Sequence, residues 1–248
     1  MFELCARVHT IEGIEIILDQ GFKILEITLP SSGGIEEERA WGELADQKGL
    51  TLIGHGPNEG NPRDLTSLES HCLPKIKQAL EEASRLNAPL LTIHFNVDSR
   101  WIPPETIKGK IDMLSRIAQW SMELGVRVNL ENLSEAAVDL EKALLKVPEL
   151  DLTLDVGHAM LTHRESTAPN IIKRLYDRIS HLHLHDNHGG KSHRNDEHLI
   201  PGEGKVAFPE LFGMLKKRGY SKTATLELAP HEMALARERI AGFWDNSV

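Results

Sequence analysis

The stretch ISHLHLHDNHGGKSHRNDEH, residues 179–198, combines a strand pattern with a high density of metal-binding side chains. Its first half alternates apolar and polar residues, so a strand here places His181, His183 and His185 on one face and the intervening leucines on the other. Imidazole nitrogen is a usual ligand of zinc and of neighbouring divalent metals. The pattern therefore predicts a strand with three imidazoles along one wall.

A Gly-Gly break follows this strand, and two further metal-binding residues come after the break. Asp196 and His198 stand two positions apart, so both side chains point the same way if that segment is extended. A single histidine in such a stretch is more simply explained as a polar surface residue. The whole set of imidazoles and carboxylates is better explained by a divalent metal.

The 248 residues, with a formal charge of -9, show the interspersed apolar and charged residues of a soluble globular chain. No run of about 18 apolar residues offers a membrane span, and the start of the chain lacks the basic and apolar regions of a signal peptide. Cys5 and Cys72 are too few for a disulfide framework and are expected to be reduced packing residues. We therefore expect a cytoplasmic protein with no membrane partner.

Short β-branched runs alternate with longer amphipathic runs along the whole chain. The spacing predicts strands at 3–8, 23–29, 51–55, 89–95, 126–131, 152–156, 179–186 and 223–228. Helices are predicted at 11–20, 35–48, 68–86, around 107–118, 134–146, 168–178, 209–218 and from 231 to about 244, with Ser134 as an N-cap. Eight such units in about 250 residues fit a single α/β domain over 1–248, a (β/α)8 TIM barrel. A doubly wound open sheet is the alternative.

Each predicted strand offers one acid or histidine, which we place near the strand end. These residues are His9, Glu26, His55, His94, Glu131, Asp155, His183 and Glu227. In a barrel the strand ends form one ring at the face where chemistry is done, and polar side chains have no packing reason to lie there. The set therefore favours a barrel with a metal centre over an open sheet.

The motif LDVGHA at 154–159 adds a further imidazole to this ring. We expect Gly157 to permit a tight turn that brings His158 back over the barrel, close to Asp155. Together with Asp196 and His198, the donors exceed the roughly four protein ligands that a zinc ion usually takes. Two or three ions are therefore expected to fit here.

Seven motifs occur in a characteristic order along the chain. They are IGHG around His55, TIHFN around His94, LEN around Glu131, LDVGHA around Asp155, HLHDN from His183, DEHLIPGEG from Asp196 and LEL around Glu227. In these motifs the chain resembles the xylose isomerase-like superfamily of barrels, which includes endonuclease IV and many sugar isomerases and epimerases. The resemblance covers nearly the whole chain. It implies a TIM barrel with one to three divalent ions, which are zinc, manganese or cobalt.

The resemblance also implies a ligand set, residue by residue. In the endonuclease IV branch the matching set holds three ions. Glu131 would bridge ions, and Asp155, His183 and Glu227 would complete a deep site. His55 and His94 would hold another ion, and a third would be held by His158, Asp196 and His198. In the isomerase and epimerase branch, the quartet Glu131, Asp155, His183 and Glu227 alone holds one ion. This quartet is common to both branches.

The preferred hypothesis is a metal-dependent isomerase or epimerase that acts on a sugar or sugar phosphate. The metal would bind the carbonyl and a neighbouring hydroxyl of the substrate and stabilise an enediolate. Glu131 and Glu227 are the candidates to remove a proton and return it, and His158 is a candidate to hold a hydroxyl or neutralise the enediolate. A homo-oligomer is compatible with this hypothesis.

The alternative is an endonuclease IV-type zinc phosphodiesterase that acts on abasic-site DNA. A metal-bound hydroxide would attack phosphorus, and the complete ligand set favours this reaction. The acidic charge balance and the few loop candidates for DNA contact, Arg63, Arg100 and Trp101, argue against it. Arg100 and Trp101 suit a sugar pocket or a barrel cap equally well. DNA is therefore a predicted partner only under this alternative.

Overall fold

The strands form one parallel sheet in the computed structural model, which describes residues 2–248. They are β1 (Glu3–Val8), β2 (Ile24–Thr28), β3 (Thr51–His55), β4 (Leu90–Ile93), β5 (Arg127–Glu131), β6 (Asp151–Asp155), β7 (Ile179–Leu184) and β8 (Thr223–Leu226). Each strand pairs with the next in chain order, and β1 also pairs with β8, so the sheet closes into a barrel. The predicted (β/α)8 TIM barrel is confirmed, because an open sheet would leave two unpaired edges.

An α-helix follows every strand. The helices are α1 (Glu15–Asp19), α2 (Ile35–Lys48), α3 (Leu65–Ser67), α4 (Leu73–Arg85), α5 (Pro104–Leu124), α6 (Ala137–Lys146), α7 (Ala168–Leu175), α8 (Phe208–Lys217) and α9 (Met233–Asp245). A π-helical turn, Leu68–Cys72, joins α3 to α4. Within residues 2–248, every helix is too short or too polar to cross a lipid bilayer.

Most predicted boundaries lie within a few residues of the observed ones, but the predicted N-cap is wrong. Helix α6 begins at Ala137, and Ala136 occupies its N-cap position. The hydroxyl of Ser134 donates instead to Asp98 Oδ2, at 2.8 Å. A hydrogen bond to a charged carboxylate is stronger than one to a neutral backbone group. Ser134 therefore joins two loops rather than starting the helix.

Apolar side chains fill the layer between the strands and the surrounding helices. Strands of a parallel barrel are covered by helices, so their outward faces are apolar. In β7, Leu182 and Leu184 belong to this core, whereas His181 and His183 hydrogen-bond across the barrel interior to Glu26 of β2. The predicted alternation of this strand is confirmed.

The barrel interior changes from apolar to polar toward the mouth. A small apolar cluster, Cys5, Ile24, Ile53 and Leu90, lies toward the amino-terminal ends of four strands. Further along the strands, Thr92 and Thr153 hydrogen-bond to each other at 2.9 Å, and Asn129 donates to Thr153 at 3.0 Å. Leaving such buried groups unpaired would cost about 1–3 kcal/mol each. The residues at the mouth therefore rest on a layer of satisfied hydrogen bonds.

A buried ion pair joins α5 to the loop after β3. Lys110 Nζ lies 2.5 Å from Glu59 Oε2, and the lysine side chain is fully buried. The same ammonium lies 4.5 Å from the ring centroid of Phe95, and Glu59 Oε1 accepts the backbone N–H of Asn96. Burial raises the pKa of Glu59 and lowers the pKa of Lys110, so each charge depends on the other. The pair thereby fastens the two loops that follow β3 and β4.

Lys110→Met is expected to lower the free energy of unfolding by about 3 kcal/mol, because it leaves the Glu59 carboxylate buried without its cation. Lys108→Met, at an exposed position of the same helix, is the matched control and should stay within about 0.5 kcal/mol of wild type. Urea denaturation followed by circular dichroism measures both variants. Equal stabilities of the two variants would contradict the role given to the pair.

Candidate metal centre

Four side chains from four strands meet at the carboxyl-terminal mouth of the barrel. His183 Nδ1 lies 3.2 Å from Glu131 Oε1, 3.5 Å from Glu227 Oε1 and 3.8 Å from Asp155 Oδ2. Glu131 and Asp155 are the last residues of β5 and β6, His183 lies one residue before the end of β7, and Glu227 directly follows β8. All strands of a parallel barrel end at one face, which brings these distant residues together. We call these four residues the quartet.

Two histidines lie against the second oxygen of Glu131. His94 Nε2 lies 3.0 Å from Glu131 Oε2, and His55 Nε2 lies 3.5 Å from the same atom. His55 ends β3 and His94 follows β4, with their rings edge to face at a centroid distance of 4.9 Å. One oxygen of Glu131 thus faces His183 while the other faces this pair. Such a carboxylate can bridge two cations.

The three remaining predicted ligands meet at Asp196. Its Oδ2 atom lies 3.1 Å from His158 Nε2 and 3.2 Å from His198 Nε2. His158 Nδ1 also lies 3.1 Å from Glu131 Oε1, so this group adjoins the quartet. The structure therefore brings all nine predicted ligand residues to one mouth, in three neighbouring groups.

Two residues of the predicted strand-end ring are not members of these three groups: one lies below the mouth, in contact with His183, and the other lies at the rim. Glu26 is the middle residue of β2 and is fully buried inside the barrel, below the mouth. The prediction of a strand-end position for Glu26 is wrong, because β2 continues for two residues beyond it. His9 follows β1 at the exposed rim, with its Nδ1 atom 3.5 Å from Thr28 Oγ1.

Several buried atoms of the centre make no hydrogen bond to any atom that the structure describes. They are both carboxylate oxygens of Glu131, Nε2 of His94, Nδ1 of His183, Nδ1 of His185 and Oδ1 of Asp196. Each of these atoms lies 3.0 to 3.7 Å from a carboxylate or imidazole atom of the centre. Buried polar atoms without partners are rare in folded proteins, and a bound ion is one accepted reason for them. Imidazole nitrogen and carboxylate oxygen together fit a divalent cation such as zinc.

The centre concentrates negative charge. Its carboxylates are those of Glu131, Asp155, Asp196 and Glu227. Burial alone would raise the pKa of Glu131, but His183 and His94 hold it well below its ordinary value. Burial also disfavours the charged form of His183, but Glu227 and the neighbouring carboxylates hold its pKa well above its ordinary value. A proton on His183 thus balances the charge of these acids, and a divalent cation can take the place of such a proton.

Asn132 fixes the segment that carries Asp155 and His158. Its side-chain Oδ1 accepts the backbone N–H of Asp155, and its Nδ2 donates to the carbonyl of Asp155, both at 2.9 Å. The carbonyl of Asn132 lies 3.1 Å from His158 Nδ1. The LEN and LDVGHA motifs are therefore hydrogen-bonded to each other, which holds the ligands of β5 and β6 in register.

Gly157 is required for space rather than for backbone freedom. The predicted turn does bring His158 back beside Asp155, with His158 Nδ1 3.5 Å from Asp155 Oδ2. The predicted need for glycine's backbone freedom is wrong, because the φ of -74° and ψ of -50° at Gly157 lie in the helical region that any residue adopts. A Cβ atom at this position would lie 2.1 Å from Cε1 of His185. The glycine therefore makes room for the buried ring of His185, a residue that the motif comparison does not assign as a ligand.

Asp186 holds the loop that carries the last two predicted ligands. Its carboxylate accepts the backbone N–H groups of Gly202, Gly204 and Val206, at 2.8, 2.9 and 2.9 Å. A Cβ atom on Gly204 would lie 2.4 Å from Asp186 Oδ1. The HLHDN and DEHLIPGEG motifs therefore form one hydrogen-bonded unit. The sequence analysis did not predict this role for Asp186. An acid at the end of a strand together with a later Gly-Glu-Gly segment was the pattern that could have indicated it.

Glu26 orients His183 from below. Its Oε1 atom lies 3.1 Å from His183 Nε2, and its Oε2 atom lies 3.2 Å from His181 Nε2 and accepts the hydroxyl of Thr225. A carboxylate behind a histidine fixes which ring nitrogen faces a metal. Glu26 therefore directs Nδ1 of His183 toward the quartet. An acid in the middle of an otherwise apolar strand was the signal for this role.

A cavity of about 1260 Å³ opens above the quartet. Its wall includes His55, His94, His158, Asp196, His198 and Glu227. Arg100 does not contribute to that wall, because its guanidinium lies 2.6 Å from Asp98 Oδ2 and donates to the carbonyl of Thr162 at 3.0 Å. Trp101 is half exposed at the surface. Of the two roles open for Arg100, the structure therefore supports the barrel cap rather than the sugar pocket.

Comparison with known proteins agrees with this architecture. A family described as xylose isomerase-like TIM barrel matches residues 10–244. The fructoselysine 3-epimerase of Shigella flexneri is 29% identical over 210 residues, which cover 79% of this chain and 74% of that protein. A crystal structure of a D-tagatose 3-epimerase-like protein has a TM-score of 0.84 at 22% identity, covering 98% of this chain and 97% of the other. A protein of Thermus thermophilus, soaked with ZnCl2, has a TM-score of 0.76 at 23% identity, covering 97% of this chain and 98% of the other.

Glu26→Gln is expected to weaken zinc binding by about 10- to 100-fold, because a neutral amide holds His183 less firmly than a carboxylate. Glu36→Gln, at an exposed position in the first turn of α2, is the control and should bind zinc like wild type. Competition with a chelating dye measures the zinc Kd. An unchanged Kd in a folded Glu26→Gln variant would show that Glu26 does not orient the ligand.

Proposed function

The chain belongs to the xylose isomerase-like TIM barrel family, and we propose that it is a metal-dependent epimerase or isomerase of a sugar or sugar phosphate. The observation that carries this proposal is the placement of Glu131 and Glu227, whose carboxylates lie 3.2 and 3.5 Å from the same nitrogen of His183. Two carboxylates beside one small space suit the removal of a proton and its return.

In this proposal the quartet of Glu131, Asp155, His183 and Glu227 holds one divalent cation, which is zinc, manganese or cobalt. The unpaired buried atoms of Glu131 and His183 support this assignment. Such a cation supplies a Lewis acid that stabilises negative charge on the carbonyl and hydroxyl oxygens of the substrate. The other ligand residues would hold up to two further ions.

Glu131 and Glu227 divide the proton transfer between them. Glu227 lies in the cavity wall, whereas Glu131 lies beneath it and is fully buried. One carboxylate removes the proton from the carbon next to the carbonyl, and the electron pair of the broken C–H bond moves toward the carbonyl oxygen to give an enediolate. Return of a proton to the opposite face inverts that carbon, and return to the adjacent carbon exchanges ketose and aldose. His158, beside Glu131, would donate a hydrogen bond to a substrate hydroxyl.

The relatives support a sugar as the substrate. The Shigella flexneri protein is named a fructoselysine 3-epimerase, and its identity to this chain extends over most of both proteins. The D-tagatose 3-epimerase-like structure supports the fold alone, at 22% identity. In a 2-ketose, carbon 3 neighbours the carbonyl carbon, so its proton is acidified when the carbonyl is polarised. A carbon next to a carbonyl is therefore the proposed reaction centre.

Incubation with 2-ketoses and their phosphates in deuterium oxide is expected to place deuterium on the carbon next to the carbonyl. Chelation with EDTA should abolish the exchange, and added manganese or zinc should restore it. Glu227→Gln should slow exchange by about 100-fold or more, the usual effect of losing an acid–base group, whereas Glu36→Gln should exchange at the wild-type rate. Proton NMR measures the exchange, and a metal-loaded protein that exchanges none of these sugars would contradict the proposal.

A second candidate function is a zinc phosphodiesterase that acts at abasic sites in DNA. The observation in its favour is the convergence of five residues that a one-ion isomerase does not use, namely His55, His94, His158, Asp196 and His198. Three ions could then activate water and stabilise the leaving oxygen. The formal charge of -9 weighs against a broad DNA-binding surface.

A duplex with one abasic site tests this second candidate. If the protein is an epimerase, the metal-loaded protein should leave the duplex intact, even at an ionic strength low enough to allow weak binding of DNA. Nicking that EDTA abolishes and zinc restores would instead establish the phosphodiesterase, with DNA as the partner. A cytoplasmic location and a homo-oligomeric state remain predictions under either function.

A further inference from the structure

Arg7 lies beside Glu227 at the mouth of the barrel, where β1 offers no candidate metal ligand. The register of β1 with β8 pairs the residues directly before these two, Ala6 and Leu226. The side chain of Arg7 is on the same inward face of β1 as Cys5, is 8% exposed, and is the one arginine or lysine among the described residues that line the cavity above the quartet. A guanidinium does not lose its proton in proteins. Arg7 is therefore a fixed cation at the edge of the metal centre.

The protein uses only part of the hydrogen-bonding capacity of Arg7. Nη1 donates to the carbonyl of Glu26 at 3.0 Å and to that of Val8 at 3.4 Å, and Nη2 donates to Oγ1 of Thr28 at 2.9 Å. Nε lies 3.9 Å from Oε1 of Glu227, which is too far for a hydrogen bond. A guanidinium carries five N–H groups. Two of them, the N–H of Nε and one N–H of Nη2, are thus without an acceptor in the part of the chain that the structure describes.

His9 extends this row of donors to the exposed rim of the same cavity. The hydroxyl of Thr28 accepts an N–H of Arg7, so its own proton is left for Nδ1 of His9, 3.5 Å away. Burial and the guanidinium of Arg7 lower the pKa of His9, so its ring is neutral at pH 7. With Nδ1 as the acceptor, the ring proton is assigned to Nε2. His9 therefore offers one N–H beside those of Arg7.

These donors suit a hydroxyl group better than a phosphate. A hydroxyl can accept an N–H of Arg7 and at the same time donate to the carboxylate of Glu227, whereas a phosphate dianion can only accept. Glu12 and Glu232 also line the cavity, in the loops after the neighbouring strands β1 and β8. A phosphate on this side would face carboxylates with a single arginine to balance its charge, and like charges repel each other.

We propose that Arg7 and His9 bind hydroxyl groups of an unphosphorylated sugar on the β1 side of the cavity. Arg7 binds a hydroxyl close to Glu227, and His9 binds a second hydroxyl nearer the rim. The proposal rests on the proposed function for the identity of the ligand as a sugar, and it narrows the substrate class from a sugar or sugar phosphate to a free sugar. Both residues act on the substrate directly and not through the metal centre.

Isothermal titration calorimetry of the zinc-loaded protein with D-glucitol measures this binding, because this polyol has sugar hydroxyls but no carbonyl and cannot react. Arg7→Gln should raise the Kd about 10-fold or more, the effect of losing a hydrogen bond from a charged group. His9→Phe should raise it about 3-fold, since a neutral donor is lost. Arg39→Gln, at an exposed position of α2, is the matched control and should bind like wild type. D-glucitol 6-phosphate should bind wild type no more tightly than D-glucitol.

Arg7→Lys keeps the test decisive if Arg7→Gln does not fold, because it keeps the positive charge but lacks the second donor nitrogen. It should also bind D-glucitol more weakly than wild type. A wild-type Kd in a folded Arg7 variant overturns the role of Arg7, and a wild-type Kd in His9→Phe overturns that of His9.

Three other results would overturn the proposal as a whole. They are a wild type that does not bind D-glucitol, tighter binding of D-glucitol 6-phosphate that Arg7→Gln abolishes, and a lower zinc content in the variants, which would show that they act through the metal centre. Mass spectrometry measures the zinc content of each variant. If wild type binds D-glucitol through Arg7 but exchanges deuterium into none of the 2-ketoses, the proposed reaction is wrong and this assignment stands.

Discussion

The Glu131 carboxylate is fully buried and makes no hydrogen bond among the described residues, so its charge depends on the positive groups around it. An ionised carboxylate away from water is tolerated only when it is paired or bound to a metal. Three imidazoles approach it closely, those of His94, His158 and His183, at 3.0 to 3.2 Å. Each of these imidazoles must be held in a fixed orientation to face the carboxylate. Other residues of the mouth provide that orientation.

Orientation comes from a polar layer beneath the mouth. Glu26 contacts His183 and His181 from inside the barrel, and Thr225 donates to the same carboxylate. Most TIM barrels fill this space with branched apolar residues. Here the upper interior is polar and hydrogen-bonded, so it contains less apolar packing. Its hydrogen bonds fix which ring nitrogen of each histidine faces the mouth.

Orientation also comes from side chains that bind loop backbone. Asp186 accepts three backbone N–H groups of its own loop, Asn132 joins β5 to β6, and Glu59 ties the loop after β3 to Lys110. Loops are ordinarily the mobile part of a barrel, and function is placed on them because they vary. Fastening the loops by buried polar side chains gives the candidate ligands Asp196 and His198 a defined position, as a metal site would require.

The sequence by itself determined the eight repeated β/α units, the barrel and the nine candidate metal ligands that meet at its mouth. The hydrophobic period of a segment and the position of a residue at the end of a strand are local properties of the sequence. Closure of the barrel then brings those strand ends close together. The depth of each side chain was not determined in this way: Glu26 is the middle residue of β2, so its carboxylate lies inside the barrel below the mouth. Only the tertiary structure showed that Gly157 makes room for the ring of His185, and that His185 contacts Asp155. Contacts of this kind depend on the register of β6 with β7, which no pattern within either strand records.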